Sequence, residues 1–263
     1  MKTRLLAGFI GLAFLIPGMI WGGELAVEIA IPIAILIALA EYAVMAFPAD
    51  VRFALAWLVS GTGLLYTALV YAPQQIHLAF LIVTIGTLIF VTLRPGPDLS
   101  RGADNVGRYL VGFLWIAMLG FFVLLRRLDG GLAWIFLVLV IAWAGDTGAY
   151  FSGRFLGRHK LYPRVSPKKT WEGVAGGVTA ATVGVFIVSF FYTALRPLDC
   201  VLLGVVLCLA GVLGDLAESL IKRSHQVKDS GWIMPGHGGL LDRIDSVLFV
   251  APLLYGYVVL VME

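Results

Sequence analysis

Apolar runs of about 17 to 26 residues recur along the whole chain, and a sequence built this way has few folds open to it. Each run is long enough to cross ~30 Å of hydrocarbon at ~1.5 Å per residue of helix. Nine fall at residues 5–21, 25–47, 51–72, 77–93, 105–126, 130–155, 172–194, 199–223 and 246–262. The runs are continuous rather than alternating, which excludes a β-barrel and leaves an α-helical bundle. Hydrophobic residues make up 60% of the 263 and charged residues 13%, with a mean hydropathy of +0.95, well beyond a soluble domain. The expected fold is an all-α integral membrane protein, a polytopic bundle of about nine transmembrane helices. It forms a single membrane domain over 1–263, with scaffold helices in 1–126 and catalytic helices and loops in 130–263.

Basic residues set the expected orientation, because Lys and Arg are retained on the cytoplasmic side. The first run follows Met1, Lys2, Thr3 and Arg4, is long and lacks a convincing small-x-small cleavage site, so it reads as an anchor rather than a removed signal. With the N-terminus inside, the cytoplasmic segments hold every Lys and Arg of the 19 except Arg126, Arg127 and Arg196. The C-terminus then lies outside, in a cytoplasmic (inner) membrane. A net charge of +3 carried in loops that face anionic headgroups gives no reason to expect nucleic acid, and no nucleic-acid module is visible. Cys200 and Cys208 lie eight apart on one helix, too far for a mutual disulfide and without metal-ligand spacing. Both read as small core residues.

The first five helices carry few polar side chains. Glu24 and Glu28 fall near an interface, while Glu41 is placed to face the bundle interior. Two later loops, 154–171 and 223–245, are dense in charge, and each is flanked by a helix with an acidic residue. They are expected to form one site. No internal repeat supports an inverted-repeat transporter.

Asp215 sits near the end of an apolar helix, where an ionisable group costs several kcal/mol unless compensated. Asp215, Glu218, Ser219 and Lys222 are spaced i, i+3, i+4, i+7 and share one helix face. One reading of that stripe is a Glu218–Lys222 ion pair; the other is a site for a hard divalent cation, which takes carboxylate ligands and substrate phosphates. Asp242 and Asp245, three apart, and Asp146, between Gly145 and Gly148, are the candidates to complete a metal site. In Ser166–Gly173, SPKKTWEG, Lys168 and Lys169 are expected at a helix start, where free N–H groups and the dipole favour an anion. Glu172 is suited to orient a lysine or a metal-bound water. Pro235, Gly236, Gly238 and Gly239 surround His237 in a loop able to wrap a ligand and offer backbone amides to phosphate oxygens. Basic side chains beside acidic metal ligands at a membrane surface suit phosphoryl or nucleotidyl transfer. From the residues alone, the chain is a membrane enzyme acting on a phosphate-bearing substrate.

The stretch from Ser219 to Asp245 reads S-x-x-K-R-x4-K-D-x-G-x3-P-G-H-G-G-x-x-D-R-x-D and closely resembles the phosphatidate cytidylyltransferases, or CDP-diacylglycerol synthases. Met234 stands where that family more often has Leu, Ile or Phe. GDTGAYFSGRFLG at 145–157 and SPKKTWEG at 166–173 also resemble family segments, in the expected order. The resemblance covers 145–245 by motif and the rest by hydropathy. It implies the reaction of CTP with phosphatidic acid to give CDP-diacylglycerol and pyrophosphate, with Mg²⁺ bound by aspartates and a second, monovalent cation such as K⁺. It also implies a homodimer. Carried onto this sequence, Asp215 and Asp242 are the first metal candidates, with Asp146 and Asp245 second. Lys222, Arg223, Lys228 and Arg243 are expected on phosphates, Asp229 and His237 shaping the site. Ser166, Lys168, Lys169, Thr170, Glu172, Gly238 and Gly239 are expected around CTP. The competing expectations are another CTP-dependent lipid enzyme, such as a polyprenol kinase or an archaeal-type lipid cytidylyltransferase, and an ion-coupled transporter.

Overall fold

A computed structural model describes residues 21–94, 98–193, 195–231 and 238–262, and within them eight helices are long and apolar enough to span a membrane. Peptide groups find no water in hydrocarbon, so each apolar run closes its own hydrogen bonds as helix. The helices are α1 (Gly23–Ala46), α2 (Val51–Tyr71), α3 (Ile76–Leu93), α4 (Gly102–Ala117), α5 (Gly120–Arg127), α6 (Gly131–Phe155), α7 (Trp171–Val188), α8 (Pro197–Ser224) and α9 (Leu241–Tyr257). α4 and α5 are one span, broken by a turn at Met118 and Leu119. Eight of the nine expected spans therefore have their helix. The first, at 5–21, lies outside the described residues apart from its last position.

Successive helices run up and down, and polar contacts tie their ends. At one end Tyr42 Oη donates to Arg108 O at 2.7 Å, Arg108 Nη1 donates to Ala46 O at 3.1 Å, and Arg94 pairs with Asp50 at 3.4 Å. At the other, Arg127 Nη2 lies 2.5 Å from Glu28 Oε1 while Nη1 donates to Val70 O at 2.9 Å. The α4–α5 span is the most enclosed, 61% buried, and the span carrying α3 the least, 22%, so α3 turns Leu81, Ile82, Ile85 and Ile89 to lipid. Cys200 and Cys208 are free, buried core residues, as expected.

Packing between apolar helices in lipid depends on close backbone approach rather than on hydrophobic driving force. Gly148 on α6 leaves room for α7: a Cβ there would lie 2.6 Å from Gly176 O. Gly214 does the same between α8 and α9, where a Cβ would lie 2.7 Å from Asp245 O. These two approaches bring α6, α7, α8 and α9 together at the end of the bundle that carries both charged loops.

One of those loops holds the only strands among the described residues. β1 (Lys160–Tyr162) and β2 (Ser166–Thr170) pair antiparallel, with Lys160 opposite Thr170 and Tyr162 opposite Ser166. Lys168 and Lys169 thus lie on a strand, not in the first turn of a helix as their sequence suggested. Thr170 is extended at φ −132° and ψ 156°, and its hydroxyl accepts from Gly173 N at 3.1 Å. That cap starts α7 one residue after the lysines. At the far end, α9 begins at Leu241 rather than 246, so Asp242 and Asp245 are helical and share a face.

Candidate active site

The polar stripe on α8 forms as its spacing requires. Ser219 Oγ donates to Asp215 Oδ1 at 3.3 Å, and Lys222 Nζ lies 2.5 Å from Glu218 Oε2. The ion-pair reading of the stripe is therefore real, but it is not the whole arrangement. Because Gly214 lets α9 approach, Asp245 comes alongside, and Asp215, Glu218 and Asp245 each offer an oxygen within 4.8 Å of one another. Glu218 is 1% exposed; Oε2 is engaged by Lys222, whereas Oε1 is buried with no hydrogen-bond partner among the described residues. Three carboxylates this close repel one another unless a cation sits among them. Their hard oxygens and the orphaned Oε1 fit a divalent cation such as Mg²⁺. Glu218 was missing from the sequence-based ligand set, although its place on the stripe was the available signal.

Asp146 approaches from α6. It is exposed and lies within electrostatic reach of Asp215, Lys169 and Arg243. Beneath it a narrow crevice is lined by Gly145, Cys208, Gly211 and Ser246. Lys169, delivered by β2, places Nζ 2.7 Å from Asp215 Oδ2 and donates to Val212 O at 3.3 Å. The hairpin and the α8 acids thus meet in one site, as the two charged loops led us to expect.

Among the described residues Glu172 pairs with no lysine. Its carboxylate accepts from His159 N at 3.2 Å and lies 2.6 Å from His159 Nδ1, fixing the start of the hairpin against the first turn of α7. Lys168, Arg223, Lys228, Asp229 and Arg243 are exposed around the rim, with Arg223 Nη1 donating to Val227 O at 3.0 Å; Ser166 is half-buried.

Asp242 and Lys222 occupy a different environment from Asp215. Lys222 is 9% exposed and lies 2.5 Å from Asp242 Oδ1 as well as from Glu218. Asp242 Oδ2 accepts from Ser230 N at 2.9 Å, Ser230 Oγ at 3.0 Å and Gly239 N at 2.8 Å. Asp242 thereby holds the loop through Oδ2 and Lys222 through Oδ1, and the Lys222 ammonium is committed to two carboxylates rather than open to a phosphate. Gly238 adopts φ +80°, where L side chains are strained, and a Cβ there would strike Asp242 Oδ2. His237 lies outside the described residues.

Glu41 faces the bundle interior as expected, but its partners are not legible in the sequence. Buried on α1 at 5% exposure, it accepts from Leu240 N at 2.8 Å through Oε1 and from Leu241 N at 2.9 Å through Oε2. Helix α1 thus reaches directly to the backbone at the start of α9.

Fold and site together define a polytopic membrane protein whose clustered acids and basic rim suit nucleotidyl transfer at one end of the bundle. Sequence comparison narrows this. The profile of the cytidylyltransferase family matches residues 2–261, and the chain belongs to that family. A phosphatidate cytidylyltransferase of Bacillus subtilis (strain 168) is 47% identical over 157 residues, 58% of each chain. Another phosphatidate cytidylyltransferase, from Staphylococcus aureus (strain COL), is 36% identical over 262 residues, 97% of each chain.

Proposed function

We propose that the protein transfers the cytidylyl group of CTP to phosphatidic acid, giving CDP-diacylglycerol and pyrophosphate for phospholipid biosynthesis. The observation that carries the reading is the Asp215–Glu218–Asp245 cluster with Lys169 on its edge, at the loop-bearing end of a membrane bundle. Asp215, Asp245 and Glu218 are the residues that would hold Mg²⁺, with Asp146 facing them. The ion would neutralise charge on the triphosphate. Asp242 and Lys222 serve instead to fix the loop and the acids.

The phosphate of phosphatidic acid is already ionised near neutral pH, so its oxygen attacks the α-phosphorus of CTP without a general base. The bond from the α-phosphorus to the bridging oxygen of the β-phosphate breaks, and pyrophosphate leaves with that electron pair. Rate enhancement then comes from alignment and from charge held in place. Lys169 leaves Asp215 for a CTP phosphate; Lys168, Arg223, Lys228 and Arg243 hold phosphates at the rim. Ser166, Thr170 and Glu172 keep the hairpin in place beneath the nucleotide, while Asp229, Gly238 and Gly239 shape the opposite wall. The acyl chains stay in the bilayer, and CTP arrives from the aqueous side. The family resemblance extends the proposal to a monovalent cation such as K⁺ and to a homodimer.

In an assay with purified protein in detergent, CTP, phosphatidic acid and Mg²⁺, one pyrophosphate should appear for each CMP joined to lipid. CDP released together with a newly phosphorylated lipid would mean a kinase and overturn the reading. Lys169→Ala should raise the KM for CTP about 10-fold, the effect of losing one charge-assisted hydrogen bond, and an unchanged KM would remove Lys169 from the nucleotide.

We place the N-terminus and both charged loops in the cytoplasm and the C-terminus outside, in the inner membrane. Support comes from the basic-residue distribution together with the gathering of both loops at one end of the bundle. A Ser224→Cys variant should resist a membrane-impermeant maleimide in intact cells and react once they are broken. Labelling in intact cells would reverse the orientation.

A further inference from the structure

We propose that Glu41 is a positioning residue for the acidic cluster, holding the first turn of α9 in the register that brings Asp245 against Asp215 and Glu218. The first N–H groups of a helix have no intrahelical acceptor, and a buried one left unsatisfied costs about as much as a lost hydrogen bond. At α9, Leu240 N and Leu241 N both find their acceptor on Glu41, 199 and 200 residues away in sequence. A carboxylate there is also favoured by the helix dipole.

The surrounding backbone is built to fit that carboxylate. A Cβ on Gly231 would lie 2.7 Å from Glu41 Oε1, and one on Gly239 would collide with Oε2. Both sides of the loop therefore close on Glu41. Ser230 Oγ stands between the two acids, 3.0 Å from Asp242 Oδ2 and 3.4 Å from Glu41 Oε2. From there the connection runs through Asp242 to Lys222 and on to Glu218, itself a member of the cluster. Asp245 follows Asp242 by three residues on the same helix face, so a shift or fraying of the first turn moves it away from its two partners. Glu41 touches none of the three acids; it acts through the backbone and the Asp242–Lys222 link.

The inference rests on the cluster being the metal site of the proposed reaction, and its test is chosen to stand apart from that reaction. Hydrogen–deuterium exchange over residues 238–248 and Mn²⁺ binding by electron paramagnetic resonance are measured on the full chain without CTP or lipid. Glu41→Ala should speed exchange at Leu240 and Leu241 and weaken Mn²⁺ binding about 10- to 100-fold, the usual range for a residue that supports metal ligands. Glu41→Gln, which keeps one acceptor oxygen in the same volume, should fall between Ala and wild type on both readouts and covers the case in which the Ala variant does not fold. Wild-type exchange and Mn²⁺ affinity in Glu41→Gln and Glu41→Ala would overturn the proposal. So would a lowered Tm with unchanged Mn²⁺ affinity, because Glu41 would then serve stability alone. Failure of cytidylyl transfer in the wild type would leave both readouts intact and would count against the reaction only.

Discussion

Asp215→Asn should leave the protein folded and lower cytidylyl transfer, assayed with Mg²⁺ present, about 10²- to 10³-fold, the scale of losing one preorganised electrostatic contact at a reacting centre. The substitution keeps the shape and one acceptor oxygen for Ser219, so the α8 stripe retains its packing. What it removes is a formal charge facing Glu218, Asp245 and Lys169. The Lys169–Asp215 pair is partly exposed, with side chains 21% and 33% accessible, so its loss should cost less than about 1 kcal/mol of stability. Activity and stability therefore separate: turnover collapses while the thermal transition in detergent barely moves. Near-normal turnover in Asp215→Asn would remove that carboxylate from the metal site.

Lys222→Met should have the opposite signature, a large loss of stability. The ammonium is buried between Glu218 Oε2 and Asp242 Oδ1, each at 2.5 Å, and Met preserves the length of the stem without its charge. Two carboxylates would then face each other without their cation, and breaking a buried pair in this way costs about 3–5 kcal/mol. A fall in Tm on the order of 10 °C follows for a chain of this size. Arg223→Met, one residue on and exposed, is the control and should change stability by no more than about 0.5 kcal/mol. Adding Glu218→Gln to Lys222→Met should recover part of the loss, since one of the stranded charges disappears. A Lys222→Met protein that melts with the wild type would show that the ammonium is dispensable to the bundle and free for another role.

Local periodicity carried much of this architecture. The span positions follow from apolar length alone, and the face shared by Asp215, Glu218, Ser219 and Lys222 follows from helical spacing. The start of α9 did not, because Asp242, Arg243 and Asp245 read as loop in hydropathy while their helix is capped by a glutamate from α1. The partners of Lys222 and Asp242 were hidden for a similar reason: the two lie 20 residues apart in sequence and on different helices, and a lysine in a basic segment looks the same whether it meets a phosphate or a carboxylate. Lys168 and Lys169 fell on a strand because Thr170, extended and capping, postpones the helix by a residue. Glu218 shows the remaining limit. Its ion pair with Lys222 was legible at i, i+4, but the orphaned second oxygen exists only once α9 closes over α8.

Asp215, Glu218 and Asp245 are expected to form one divalent-cation site. Titration of Mn²⁺ into wild-type protein and into an Asp215→Asn/Asp245→Asn variant, with free ion followed by electron paramagnetic resonance, tests it without substrate. The wild type should bind Mn²⁺ at a site that is lost in the double variant; equal Mn²⁺ binding by both proteins would show that these carboxylates hold no divalent cation.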